Sequence, residues 1–164
     1  MRTADIVAVE LVARPREATD NATPSGTSLA VELLLRVAAI FDDESMRDRA
    51  VAVLETLAEP MAQYAPAFGH LLGAAELAVH GATQVALVGH PDSESFRSLD
   101  REVARHYLPA LVLAGGPSEA SAGVALLEDR PAMEDGGATA YVCRHFTCEL
   151  PVTRADALAA RLEE

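Results

Sequence analysis

An apolar stretch at residues 27–41, Thr-Ser-Leu-Ala-Val-Glu-Leu-Leu-Leu-Arg-Val-Ala-Ala-Ile-Phe, constrains this chain more than any other feature. Read at helical spacing, Leu29, Leu33, Val37 and Ile40 form one stripe, and Ala30, Leu34, Ala38 and Phe41 form the next. Val31 and Leu35 carry the apolar character round the back, and the only charges, Glu32 and Arg36, stand four apart where they can pair. A helix apolar nearly all round is a buried helix, so something must pack on every side of it. Ser25, Thr27 or Ser28 can cap its start. Half of the 164 residues are hydrophobic but only 4% are aromatic and none is Trp. The core must therefore be built from Ala, Val and Leu, a composition that favours helices.

Two more helices follow. Residues 44–63 place Met46, Ala50, Val53, Leu54, Leu57 and Met61 on one face, and Arg47, Asp48, Arg49, Glu55 and Glu59 on the other. Pro60 kinks or ends this helix. Residues 67–80 carry a stripe of Phe68, Leu71, Leu72, Ala75 and Val79, with Gly81 as the closing residue. The pattern then changes. Thr83-Gln84-Val85-Ala86-Leu87-Val88-Gly89 reads as a buried strand, residues 94–107 as a helix and residues 110–116 as a second buried strand, a β-α-β unit. Residues 124–127 and 138–143 read as weaker strands separated by the turn Glu134-Asp135-Gly136-Gly137, and residues 153–164 as a helix capped by Thr153. At the start, Ile6-Val7-Ala8-Val9-Glu10-Leu11-Val12 is one strand or the tail of an element. The fold class is α+β: helical hairpins over residues 1–81 packed with a small α/β segment over residues 82–164.

Charge narrows the partners. The net charge is -12, which disfavours duplex nucleic acid and anionic membranes. No apolar run reaches the ~18 residues of a membrane span. Asp5 and Glu10 interrupt what would be a signal-peptide core, so a cytoplasmic location is expected.

Two stretches carry a resemblance. The first is Arg14-Pro15-Arg16-Glu17 followed by Asp20-Asn21-Ala22-Thr23-Pro24-Ser25-Gly26-Thr27-Ser28; the second runs from Ala138-Thr139-Ala140-Tyr141-Val142-Cys143 through Cys148-Glu149-Leu150-Pro151-Val152-Thr153. In this order they resemble the C-terminal portion of the thioredoxin-domain proteins related to the spermatogenesis-associated group. The resemblance implies a thioredoxin-like domain first, then a six-hairpin (α/α)6 toroid similar to N-acylglucosamine 2-epimerases and some glycosidases, then a small α/β segment. This sequence corresponds to the last hairpins and that segment. The family tends to read Pro-Ser-Gly-Asn where this chain has Thr27, which offers a hydroxyl in place of an amide.

The candidate sites have rival readings. Asp20 to Ser28 sets a carboxylate, an amide and hydroxyls before the apolar helix, a junction that lines the central cavity in a toroid. Asp20, Asn21, Ser25 and Thr27 then bind a carbohydrate-like small molecule, or they form a helix cap with a tight turn at Gly26. Cys143 and Cys148 flank His145. Three ligands are too few for a closed zinc site, so no metal and no cofactor are expected. The pair is either two small thiols beside a strand end, or a local disulfide with a redox role. Gly89-His90-Pro91-Asp92-Ser93 stands where open α/β sheets bind ligands but lacks a glycine-rich phosphate loop, and Asp92 or Ser93 serves as a helix cap. His70, His80 and His106 have no partners at metal spacing. No catalytic residue is nominated, because no nucleophile–base order, paired-carboxylate spacing or H-E-x-x-H occurs. Three functions remain open: a piece of a carbohydrate-related toroid inactive alone, an interaction module whose first helix is covered by the missing part of the toroid or a second copy, and a redox accessory built on Cys143 and Cys148.

Overall fold

A computed structural model describes residues 17–117, 123–132, 137–144 and 147–163. The expected strand at residues 6–12 and the turn at residues 134–136 lie outside them, as does His145. The described chain is α+β. Three helices, α1 (Gly26–Phe41), α2 (Glu44–Gln63) and α3 (Gly69–His80), come first, with a 3-10 turn at Ala65–Phe68 leading into α3. Then follow β1 (Thr83–Val88), α4 (Glu94–Val103), β2 (Leu111–Gly116), β3 (Thr139–Arg144), β4 (Thr147–Cys148) and α5 (Ala155–Leu162).

Local chemistry sets most of these boundaries. Ser25 starts α1, its hydroxyl accepting from the Ser28 N–H at 3.1 Å. Asp42 ends α1 in the left-handed conformation, and Asp43 caps α2 by accepting from the Met46 N–H at 3.2 Å. The hairpin between α1 and α2 is therefore two residues long. Pro60 lies within the last turn of α2 and does not end it; the helix runs on to Gln63. Gly81 closes α3 with φ 74°.

The sheet has the order β2-β1-β3-β4. β1 and β2 pair in parallel across α4, as a β-α-β unit requires, and β3 pairs antiparallel to β1. Central β1 is buried on both faces. Val85 and Leu87 face α4 and α5, where Leu99, Val103, Leu158 and Leu162 pack with Val142. Ala86 and Val88 face the other way, onto Leu126 and Leu127 and onto Ala39 and Ile40 at the end of α1. Gly89 leaves β1 at φ 152°, and a Cβ there would meet the Ala138 Cα at 2.9 Å, so no side chain fits.

The helices form a separate core of Val31, Leu35, Ala50, Leu54, Phe68, Leu71, Ala74 and their neighbours. Arg36 ties the two layers together: its guanidinium donates to the Leu111 carbonyl at 2.6 Å and the Pro109 carbonyl at 2.8 Å, beside β2. Gln84 donates to the Ala39 carbonyl at 2.7 Å.

Five expectations are corrected. Residues 124–127 form successive turns and no strand: Leu127 and Glu128 bond back to Val124, while the Leu126 N–H donates to the Ile40 carbonyl. A buried turn and a buried strand share the same apolar residues, and period alone does not separate them. The buried stripe of α3 is Leu71, Ala74 and Leu77, whereas Leu72 and Val79 face outward, 37% and 76% exposed. α4 stops at Val103, where tight turns at Arg105 and His106 replace the helix. Arg154 occupies the N-cap of α5 in place of Thr153 and makes no side-chain cap. Finally, α1 is not buried on all sides.

Candidate functional site

The buried side of α1 consists of Ser28, Val31, Leu35 and Ala38, spaced at helical intervals against α2 and α3. The opposite side carries Leu29 and Leu33, 50% and 62% exposed, with Ala30 also exposed and Val37 half-buried beside them. Between α1 and α2 an open depression of about 660 Å³ borders this stripe, lined by Glu17, Thr27, Ala30, Val31, Leu34 and Val53. Its floor is apolar. The Thr27 hydroxyl donates to the Glu17 carbonyl at 3.1 Å, which leaves few polar groups converging on the space. Small polar ligands are held by converging polar groups, so this shape fits a hydrophobic side chain better. A second recess, about 150 Å³ between the α1–α2 corner and the end of α3, is smaller than a typical small-molecule site.

The junction before α1 is a fastening. One Asp20 carboxylate oxygen accepts from the Ser25 N–H at 2.8 Å and the Ser28 hydroxyl at 2.7 Å. The other accepts from the N–H groups of His70 at 2.8 Å and Leu71 at 3.1 Å. A single carboxylate thus caps the start of α3 from outside and braces the start of α1. Burial raises its carboxyl pKa, and the bonds from Ser25, Ser28, Leu71 and His70 outweigh that and bring it to about 2. Ser25 is buried with its hydroxyl engaged in the cap, while Asn21 is exposed and Thr27 half-buried. The structure places Asp20, Asn21 and Ser25 in the loop before α1 and Thr27 in its first turn, and turns Asp20 and Ser25 inward. Nothing in the sequence signals the bonds to His70 and Leu71, fifty residues away.

Glu32 anchors a second cluster. It bonds the Arg36 guanidinium at 2.7 Å and the His70 imidazole at 2.7 Å. Burial raises its carboxyl, and the Arg36 and His70 bonds and charges hold it below its ordinary value. The i,i+4 pair read from sequence is present, and Arg36 carries it on to β2.

At the far edge of the sheet, Cys143 and Cys148 face each other across β3 and β4 and are joined as a disulfide. The reading as two thiols beside a strand end therefore does not hold; Cys143 is buried and Cys148 exposed. Arg130, which the sequence did not single out, directs its guanidinium at both sulfurs, 3.5 Å from Cys143 and 3.3 Å from Cys148. At the end of β1, Ser93 caps α4 through the Phe96 N–H at 3.2 Å. Among the described residues no three His, Cys, Asp or Glu side chains gather as metal ligands. Among them, too, no helix is long and apolar enough to cross a membrane.

No family model matches the chain, and no solved structure matches it. The chain is similar to spermatogenesis-associated protein 20 of Homo sapiens, 27% identical over 144 residues covering 85% of this chain and 18% of the human protein. The Rattus norvegicus protein of the same name is 26% identical over 148 residues, covering 88% of this chain and 19% of its own length. An uncharacterized protein of Caenorhabditis elegans is 26% identical over 133 residues, 81% of this chain and 18% of that protein. The chain thus spans less than a fifth of the length of the curated relatives it matches.

Proposed function

We propose that this chain is a completing module, one whose three-helix layer supplies one side of a larger helical assembly and meets it along the outer face of α1. The carrying observation is the exposed stripe of Leu29 and Leu33 on a helix whose other face is fully packed. Aligned large apolar side chains of this kind mark contact surfaces. The occupant is a helical hairpin with its own apolar face, carried in the more than four-fifths of the relatives' length that lies outside the match. A six-hairpin toroid, the architecture implied by the resemblance, supplies such hairpins in series. Its side-chain ridge would enter the depression beside Ala30, Leu34 and Val53, and covering the exposed half of each leucine contributes roughly 1–2 kcal/mol. A carbohydrate-binding role for Asp20, Asn21, Ser25 and Thr27 has less behind it, because the acceptor positions of Asp20 are filled from within.

The test is solution mass by light scattering together with binding of a dye for apolar surface, on the 164-residue chain and on the Leu29→Glu/Leu33→Glu double variant. The proposal expects a monomer at low micromolar concentration that binds dye strongly, with most of that binding lost in the variant. A dimer dispersed by the double variant would assign the face to a second copy and overturn the hairpin. A monomer that binds no dye would show that the face is no docking surface.

A further inference from the structure

Beyond the docking face, the pair Cys143–Cys148 carries chemistry of its own. The two sulfurs are not equivalent. Cys143 sits in the core side of β3, 1% exposed, while Cys148 on the two-residue edge strand β4 is open to solvent. Of the two, Cys148 is the residue an incoming reagent can reach. Arg130 lies against both. Its Nη1 donates to the Leu126 carbonyl at 2.7 Å, its guanidinium rests over the Tyr141 ring at 5.8 Å from the centroid, and its Nη2 points at the sulfurs. Among the described residues no carboxylate forms an ion pair with Arg130.

We propose that this disulfide is a thiol–disulfide exchange site for a small thiol, with Cys148 the sulfur attacked, Cys143 the sulfur that leaves and Arg130 the group that stabilises the departing thiolate. The thiolate of the small thiol forms a bond to the Cys148 sulfur. The bond between Cys148 and Cys143 breaks, and its electron pair goes to Cys143, which becomes a thiolate beside the guanidinium. The mixed disulfide on Cys148 then either returns, when Cys143 attacks it and expels the small thiol, or is cleared by a second small thiol. In that second case the protein gains two thiols and the small thiol leaves as its own disulfide. A thiolate produced in a buried position without a counter-charge is strongly disfavoured, and exchange is faster when the leaving thiol has the lower pKa. An adjacent guanidinium meets both requirements.

The experiment treats the intact oxidised chain with reduced glutathione, quenches with acid and an alkylating reagent, and maps both cysteines by mass spectrometry. Rates are compared for wild type, Arg130→Gln and Arg130→Lys. The expected result is glutathione on Cys148 with the alkyl group on Cys143, a rate about fivefold lower in Arg130→Gln and recovery of most of it in Arg130→Lys. Glutathione on Cys143, or no exchange until the chain is unfolded, would overturn the proposal. So would an Arg130→Gln rate equal to wild type. The mapping in wild type stands even where a variant fails to fold.

Discussion

The two layers of this molecule begin from the same kind of sequence and end differently. β1 and α1 are both apolar nearly throughout. β1 finds cover on both faces within the chain: α4 and α5 on one, residues 124–127 and the end of α1 on the other. Among the described residues α1 finds cover on one face only, and Leu29 and Leu33 remain outside. The difference teaches that apolar periodicity states what a segment requires, while the number of neighbouring elements decides whether the requirement is met inside the chain. The centre of the sheet layer, β1, is closed. The helical layer is open along one helix, and that is the physical content of the proposed docking role.

Substitutions can break or sharpen this contrast. The largest effect is expected in the closed layer: Leu87→Ala empties a fully buried site on β1 and should cost about 3 kcal/mol in chemical denaturation. Next is Asp20→Asn, which removes the carboxylate joining the starts of α1 and α3. Its carboxyl falls from an ordinary 3.8 to about 2 on folding, so its stabilisation, on the order of 2 kcal/mol, is present above about pH 4 and lost as pH drops toward 2. The variant should be less stable at pH 7 and should lose that slope between pH 4 and 2. Arg36→Met cuts the link between the layers and should cost about 1.5 kcal/mol; a second, earlier unfolding step in the variant would show that the layers had come apart. The smallest effect belongs to the open face, where Leu33→Ser should change stability by less than about 0.5 kcal/mol while lowering dye binding. A cost near that of Leu87→Ala would mean that α1 is covered on both sides and the contrast is false.

What the sequence made legible follows the same division between local and distant causes. The start of α1 could be read because Ser25 caps within three residues of itself, and Gly81 closes α3 for a reason local to its own backbone. The β-α-β unit was visible because a strand period gives way to a helical one at Ser93 and back again before Leu111. The inward role of Asp20 was not legible, since its partners His70 and Leu71 arrive from another helix. The same holds for Arg130, which reaches Cys143 and Cys148 only once residues 124–132 fold under the sheet. The outward turn of Leu72 and Val79 was misread because α3 has apolar residues on two stripes, and packing chose the one containing Ala74 and Leu77.

The most direct test of the contrast compares side-chain exposure in the two layers of the unmodified chain, by hydroxyl-radical footprinting of Leu29 and Leu33 against Leu87 and Leu99 at low protein concentration. The account predicts that Leu29 and Leu33 are oxidised many times faster than the two sheet-layer leucines. Equal protection of all four would contradict it, showing that the outer face of α1 is already covered.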